Sequence, residues 1–131
     1  ANFEAYRHYS RLFKAAVRAI APNVEDRGID EIYVDLSDIP EETSILAQRI
    51  KDAVFAATGL SCSIGVTPNK LLSKIASELE KPNGLTILSM EDVPRRIWPL
   101  AAKKVNGIGP KASERLERHG IRTIGELAQT L

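Results

Sequence analysis

Apolar side chains recur every three or four residues in three segments of the chain, and each segment is therefore predicted to form an amphipathic helix. The first predicted helix ends near Pro22, the second covers residues 43–58 and stops at Gly59, and the third begins after Thr67-Pro68-Asn69. The apolar stripes are Tyr6, Tyr9, Phe13, Val17 and Ile20; Leu46, Ile50, Val54 and Ala57; and Leu71, Leu72, Ile75 and Leu79. These stripes are predicted to face the core.

Four shorter segments have the pattern of strands. Residues 24–29 and 32–37 are expected to pair, whereas residues 61–66 and 85–88 follow the second and third helices. The order of strand, strand, helix, strand, helix, strand predicts an α+β fold with helices on one face of a sheet. It matches a ferredoxin-like sheet that lacks its first strand.

The remainder of the chain is predicted to be a small all-helical segment. Ser89 can cap a short helix, and Pro94 lies just beyond it. Further along, the turn Gly120-Ile121 separates the last two predicted helices. We therefore divide the chain into residues 1–92 and residues 93–131.

Two adjacent acids, Asp30 and Glu31, interrupt the apolar pattern of the predicted hairpin. Neighbouring residues of a regular strand point to opposite faces, which would place Asp30 on the apolar face with Ile32. Because an unpaired buried acid is expensive, we favour a bend at residues 29–31, helped by Gly28, that turns both acids to one rim. A divalent metal such as Mg²⁺ would give them a function, since it binds carboxylates together with substrate phosphates. An ordinary solvated turn is the alternative, because two acids are a weak motif.

The distribution of charge is more informative than its total. The 131 residues include 18 Lys and Arg and 17 Asp and Glu, for a formal net charge of +1. Residues 25–42 contain eight acids and one base, a local charge of −7, whereas residues 95–122 contain eight bases and two acids, a local charge of +6. An acidic pole for metal and a basic pole for a polyanion would suit an enzyme that acts on nucleic acid. A solvated charged face is the alternative explanation.

The sequence also argues against several classes of protein. Cys62 is the single cysteine, so an intrachain disulfide and a cysteine-based zinc cluster are excluded. No apolar run is long enough to span a membrane and there is no signal-peptide pattern, so we expect a soluble cytoplasmic protein with no membrane partner. The chain begins without Met and inside a helical pattern, from which we expect a fragment of a longer protein.

Two further features are candidate phosphate-binding sites. Gly107-Ile108-Gly109 joins two predicted short helices, and glycines let backbone N–H groups approach a phosphate at the start of the following helix. Nearby positive charge comes from Lys111, Arg115 and Arg118. This is a helix-hairpin-helix pattern, and an ordinary helix connection is the alternative. Lys81, at the mouth of a Pro-Asn-Gly loop, is either a triphosphate anchor or an ordinary surface lysine.

Taken in order, these motifs resemble the Y-family translesion DNA polymerases, most closely the polymerase IV class. The segments that carry the resemblance are Gly28–Ser37, Ser63–Lys70, Ser73–Ala76, Lys81–Leu85 and Asn106–Lys111. The match begins at Tyr6 and covers nearly the whole chain. Five motifs in the same order are hard to produce by chance.

The resemblance implies a role for each motif. Residues 1–92 would be a partial palm, and residues 93–131 the first part of a helix-hairpin-helix thumb. Asp30 and Glu31 would be catalytic residues that bind Mg²⁺, and Lys81 would contact the triphosphate of the incoming nucleotide. The DNA-binding residues would be Gly107, Gly109, Lys111 and Arg115.

The resemblance also implies substrates and missing parts. The parent protein would bind primer–template DNA and deoxynucleoside triphosphates, use two Mg²⁺ ions for nucleotidyl transfer, and bind a sliding clamp through regions outside this chain. The family's first metal-binding Asp, first palm strand and fingers are expected upstream of Ala1, and its little finger downstream of Leu131. We therefore expect the isolated chain to be inactive. Gly28 departs from the family, in which Ser usually precedes Ile-Asp-Glu.

Two other functions are compatible with parts of the pattern. A catalytically silent relative could bind DNA or a protein partner, but such a protein would be free to lose Asp30 and Glu31. A nucleotide cyclase could use a similar ferredoxin-like palm, but it would not need the hairpin at Gly107-Ile108-Gly109.

Overall fold

A computed structural model describes residues 3–105 and 107–130 of the chain. The α-helices in this part are α1 (Phe3–Ile20), α2 (Thr43–Thr58), α3 (Lys70–Leu79), α4 (Val93–Arg96), α5 (Pro110–Arg118) and α6 (Ile124–Thr130). The strands are β1 (Val24–Asp26), β2 (Ile32–Val34), β3 (Ile64–Val66) and β4 (Leu85–Ile87), and single 3₁₀ turns lie at Met90–Asp92 and Ala102–Lys104. The expected α+β fold is confirmed. None of the helices described is both long and apolar enough to cross a membrane.

By its internal contacts the chain divides into two compact units, and the first contains the residues up to Ile64 together with Pro82–Leu85. Its core forms where α1 packs on α2. The buried residues of this core are Phe13, Val17, Ala21, Leu46, Ile50 and Val54. All but Ala21 belong to the two apolar stripes predicted from the sequence, because helical periodicity identifies the side of a helix that is buried.

Strands β1 and β2 form an antiparallel hairpin in which Val24 is paired with Val34, and Asp26 with Ile32. The side chains of Val24, Ile32 and Val34 pack against the core of the first unit. Asp26 has the same parity as Val24, so it lies at the end of this apolar face. Residues 28–30 bend into the turn, and β1 therefore ends at Asp26 rather than at residue 29.

The second unit contains Gly65–Lys81 and the residues from Thr86 onward. Its buried core residues are Ile75, Ala76, Leu88, Val93 and Ile97. The backbone of β3 approaches α3 closely at Gly65, where an added Cβ would lie 2.4 Å from both the Ser73 carbonyl oxygen and the Ser77 amide nitrogen. Gly65 therefore cannot become any larger residue without a backbone shift.

The helix ends follow local capping chemistry. α2 ends at Gly59, whose φ of 75° is a left-handed conformation that favours glycine. α3 is capped by Asn69, whose Oδ1 accepts a hydrogen bond from the Leu72 N–H at 2.9 Å. Ser89 and Asp92 form a capping box at the start of the first 3₁₀ turn. The sequence predicted these ends because each depends on residues close together in the chain.

The strands of the described part form two separate pairs, β1 with β2 and β3 with β4. Ile64 N–H donates to the Gly84 carbonyl at 2.9 Å. Leu88 N–H donates to the Val66 carbonyl at the same distance, so the partners advance in the same direction, as in a parallel pair. A continuous sheet would need a strand bonded to both pairs, and residues 3–105 and 107–130 do not provide one. The ferredoxin-like sheet therefore stays a prediction. The division of the chain after residue 92 stays a prediction as well.

Candidate functional site

Asp30 and Glu31 lie at the end of the turn that connects β1 with β2. Arg27 N–H donates a hydrogen bond to the Glu31 carbonyl at 3.1 Å, which closes a tight turn over residues 28–30. The bend expected at these acids is therefore present. Asp30 is exposed and Glu31 is partly buried, so Asp30 does not lie among the core residues.

The expected contribution of Gly28 to this bend is wrong. Gly28 is not one of the glycines with positive φ, and a Cβ added there would meet no atom within 4 Å. The turn is formed by hydrogen bonds rather than by the conformational freedom of glycine. A side chain such as Ser would therefore fit at position 28 without steric conflict.

A lysine from α1 binds the first half of this turn. Lys14 Nζ donates hydrogen bonds to both carboxylate oxygens of Asp26, at 2.9 and 3.0 Å, and to the Gly28 carbonyl at 2.6 Å. Gly28 N–H also donates to Asp26 Oδ1 at 3.2 Å. Lys14 is only 8% exposed, yet no motif in the sequence marked it as a functional residue. The sequence does contain an indication of this burial. Lys14 follows Phe13 and precedes Val17 by three residues, so helical periodicity places it beside the buried stripe of α1.

Charges near the turn act on neighbouring titratable groups. The hydrogen bond from Lys14 holds the pKa of Asp26 below its usual range. Burial raises the pKa of Tyr9, and Coulomb interactions with Cys62 and Asp30 raise it further. The negative charge of Asp30 therefore helps to disfavour ionisation of Tyr9, on α1, although burial is the larger cause.

The donor chemistry of Asp30 and Glu31 fits a hard divalent cation. Two adjacent carboxylates offer the anionic oxygen ligands that Mg²⁺ prefers. Within residues 3–105 and 107–130, no group of three or more His, Cys, Asp or Glu side chains is arranged to hold a metal ion. Two carboxylates alone would be a partial set of ligands, as for a cation that takes its remaining ligands from phosphate, water or other residues.

A second lysine binds the loop that follows Lys81. Lys51 Nζ, from α2, donates hydrogen bonds to the Cys62 carbonyl at 2.6 Å and to Asn83 Oδ1. Asn83 has a φ of 64°, a left-handed conformation that asparagine tolerates better than most residues. Lys81 itself is exposed, so its ammonium can meet an anionic ligand. Its contact with a triphosphate stays a prediction.

The glycine motif of the tail forms a turn between helical segments. Gly107 has a φ of 100°, which only glycine adopts readily. Gly109 immediately precedes α5, which begins with Pro110, a residue well suited to the first position of a helix. Asn106, the first residue of the motif, lies outside the described residues. The arrangement is compatible with the helix-hairpin-helix prediction.

The basic residues after this turn are on α5. Lys111 and Arg115 are exposed and one helical turn apart, so they share a face of the helix, and Arg118 follows in its last turn. Asp30 and Glu31 are brought together in a single turn of the first unit. Lys81, Gly107, Gly109, Lys111 and Arg115 belong to the second unit, and their DNA- and nucleotide-binding roles stay predictions.

Comparison with known proteins gives consistent matches over almost the whole chain. A sequence model of the impB/mucB/samB family matches residues 1–78. DNA polymerase IV 1 of Bacillus subtilis (strain 168) is 42% identical over 129 residues, which cover 97% of this chain and 31% of that protein. The chain thus spans about a third of the length of this curated relative.

Solved structures show the same similarity at the level of the fold. The post-insertion binary complex of Dbh DNA polymerase has a TM-score of 0.87 and 26% sequence identity, covering 99% of this chain and 39% of that one. The Y-family DNA polymerase chimera Dbh-Dpo4(243-245)-Dbh has a TM-score of 0.83 and 28% identity, covering 92% of this chain and 36% of that one.

Proposed function

Because this chain belongs to the impB/mucB/samB family, we propose that it forms the palm and the first part of the thumb of a Y-family translesion DNA polymerase of the polymerase IV class. Residues 1–92 are assigned to the palm, with its ferredoxin-like sheet, and residues 93–131 to the helix-hairpin-helix thumb. The 42% identity to DNA polymerase IV 1 of Bacillus subtilis supports the assignment. The resemblance to Y-family polymerases that the sequence indicated is thereby confirmed.

The observation that carries a catalytic role is the pair Asp30 and Glu31 in the hydrogen-bonded turn between β1 and β2. The hydrogen bond from the Arg27 N–H to the Glu31 carbonyl fixes the backbone that carries both acids, and a preorganised backbone suits the stabilisation of charge in a reaction. The presence of both acids also argues against the catalytically silent relative, which would be free to lose them. In the comparisons the named relatives are DNA polymerases, which leaves the nucleotide cyclase without support.

The side chains of this chain have distinct roles in the proposed reaction. Asp30 and Glu31 supply carboxylate oxygens to one side of a divalent metal site. When bound, two Mg²⁺ ions would activate the primer 3′ hydroxyl and neutralise charge on the leaving pyrophosphate. Lys81 places a positive charge beside the triphosphate of the incoming deoxynucleotide.

The tail is assigned to binding of primer–template DNA. Gly107 and Gly109 let the backbone approach a phosphate closely, and Lys111 and Arg115 add charge on one face of α5. Contacts of this kind position the duplex without reading its sequence. A sliding clamp would bind the parent enzyme through regions outside this chain, and the reaction would take place in the cytoplasm.

The isolated chain is proposed to be inactive. Asp30 and Glu31 are two carboxylates of a site that needs further ligands, and the chain spans 31% of the length of its Bacillus relative. We therefore assign the activity to a longer polymerase that contains this segment.

A chimera tests the proposal. In DNA polymerase IV 1 of Bacillus subtilis, the segment matched by this chain would be replaced by the chain itself, and template-directed incorporation of a single nucleotide would be measured. We expect incorporation that depends on Mg²⁺. A chimera that binds primer–template DNA as the Bacillus enzyme does, yet incorporates no nucleotide, would contradict the proposal.

A further inference from the structure

We propose that Lys14 is a positioning residue for the Asp30–Glu31 pair: it binds the turn to α1 and thereby sets the arrangement of the two carboxylates for a divalent cation. The inference rests on the proposed function, because it assigns a role toward that same metal site. Lys14 does not itself contact the metal or the substrate. Its influence passes through Asp26 and Gly28.

The burial of Lys14 requires an explanation. A lysine whose side chain is only 11% exposed has lost most of its contact with water, which is costly for a charged side chain unless the lost hydrogen bonds are replaced. The replacement is complete, since the three N–H groups of an ammonium match the three hydrogen bonds to Asp26 Oδ1, Asp26 Oδ2 and the Gly28 carbonyl. These hydrogen bonds reach the last residue of β1 and the first residue of the turn.

The contact with Gly28 is what connects Lys14 to the acids. Gly28 is the first residue of the turn and Asp30 is the last, so a bond that fixes the Gly28 carbonyl restricts the path of the next two residues. The Gly28 N–H also donates to Asp26, and the Arg27 N–H donates to the Glu31 carbonyl. The turn is therefore bound on its entering side by a side chain from α1, and closed across its base by the backbone.

The ion pair alone does not account for the arrangement. The side chain of Asp26 is 51% exposed, and an ion pair with one partner in water adds little to global stability. The hydrogen bond to the Gly28 carbonyl adds a fixed direction to the interaction. We therefore expect loss of Lys14 to act mainly on local opening of the turn.

The sign of the effect on metal affinity separates positioning from charge. Removal of a positive charge from an acidic neighbourhood strengthens the attraction for a cation, so a pure charge effect would raise the affinity for Mn²⁺. Loss of positioning would instead lower the affinity for Mn²⁺. The expected decrease is about tenfold, as for other residues that orient metal ligands. The two explanations therefore predict opposite changes in one measurement.

The experiment uses the 131-residue chain with Mn²⁺ as the probe. Amide hydrogen exchange and Mn²⁺-induced line broadening would be measured by NMR for the wild type, Lys14→Met, Lys14→Arg and Asp30→Asn. Arg11→Met is the matched control, because it removes the same charge from an exposed position on α1. Exchange at Arg27 and Gly28 reports the turn, and exchange in the core of α2 reports global unfolding.

We expect Lys14→Met to accelerate exchange at Arg27 and Gly28 more than exchange in α2, and to weaken Mn²⁺ binding by about tenfold. Lys14→Arg should restore most of the binding, and Arg11→Met should change neither readout. Equal acceleration in the turn and in α2 would overturn the inference, because it would show a general structural role. Unchanged or stronger Mn²⁺ binding in Lys14→Met would overturn it as well.

Asp30→Asn separates this inference from the proposed function. If Asp30→Asn abolishes Mn²⁺ binding and Lys14→Met does not weaken it, the positioning role of Lys14 is wrong, whereas the metal site at Asp30 and Glu31 is supported. If Asp30→Asn leaves Mn²⁺ binding intact, the metal site is wrong, and the positioning role is wrong with it. Should Lys14→Met fail to fold, Asp26→Asn takes its place, with the same local acceleration expected and an unchanged turn as the contradicting result.

Discussion

Lys14 and Asp26 are twelve residues apart in sequence, and the ammonium of Lys14 donates a hydrogen bond to each carboxylate oxygen of Asp26. The interaction joins the buried side of α1 to the end of β1. It lowers the pKa of Asp26, which means that the folded state favours the ionised carboxylate. The consequence is a dependence of stability on pH.

The contribution of Asp26 to stability should be lost in acid. Because the folded pKa is lower than the usual value of 3.8, the unfolded state binds the proton first as the pH falls. The contribution is therefore fully present above about pH 5 and decreases as the pH falls through the usual value toward the folded pKa. Urea unfolding of the wild type and Asp26→Asn at several pH values checks this. The stability difference between the two proteins should shrink below about pH 4, and a constant difference would be inconsistent with it.

The cap of α3 should be worth a measurable part of the stability. Asn69→Ala removes the oxygen that accepts from the Leu72 N–H, and loss of such a cap costs about 1 kcal/mol in the free energy of unfolding. Asn69→Asp is the control, since an aspartate at the same position accepts the same hydrogen bond. Chemical unfolding should rank Asn69→Ala below both the wild type and Asn69→Asp. Equal stability of all three would show that the cap is not significant.

Two glycines should respond differently to the same substitution. Gly65→Ala places a Cβ 2.4 Å from backbone atoms of α3, so the strand or the helix must shift, at a cost of about 1–3 kcal/mol. Gly28→Ala meets no atom within 4 Å and should be tolerated. Urea unfolding of both variants gives the comparison. A Gly65→Ala protein as stable as Gly28→Ala would contradict the packing of β3 on α3.

The basic face of α5 should determine the affinity of the chain for primer–template DNA. Lys111→Ala and Arg115→Ala should each weaken binding and reduce the slope of log affinity against log salt by about one, as expected for one lost phosphate contact. Arg11→Ala, which removes an exposed positive charge from α1, is the control and should bind as the wild type does. Fluorescence anisotropy at several salt concentrations measures both quantities. Identical slopes for all four proteins would exclude α5 from the interface.

Local sequence predicted the helices better than the strands. The bounds of α2 and its stop at Gly59 follow from periodicity and a capping residue, which are properties of neighbouring positions. The strands are shorter than predicted because a strand ends where its pairing ends, and pairing depends on a distant segment. The ladder of β1 and β2 ends at Asp26 and Ile32, a boundary that apolar alternation alone does not reveal.

The candidate site was predictable only in part, for the same reason. Asp30 and Glu31 stand out as adjacent acids in an apolar hairpin, and the ordered motifs around them indicate the family. The role of Lys14 depends on α1 packing against the core beside this hairpin, which no short motif encodes. Lys51 likewise donates a hydrogen bond to Asn83, thirty-two residues further along the chain. This contact, which binds the loop after Lys81, cannot be predicted from a local sequence pattern.

The rate of nucleotide incorporation by the chimera with the Bacillus polymerase tests the central claim most directly. Asp30→Asn keeps the size of the side chain and removes its charge, and it should lower kcat by at least about 100-fold if the carboxylate binds a catalytic metal. Asp38→Asn, at another exposed acid of the same charged segment, should retain the rate of the unmodified chimera. Equal rates for the two variants would contradict the assignment of Asp30 to the catalytic site.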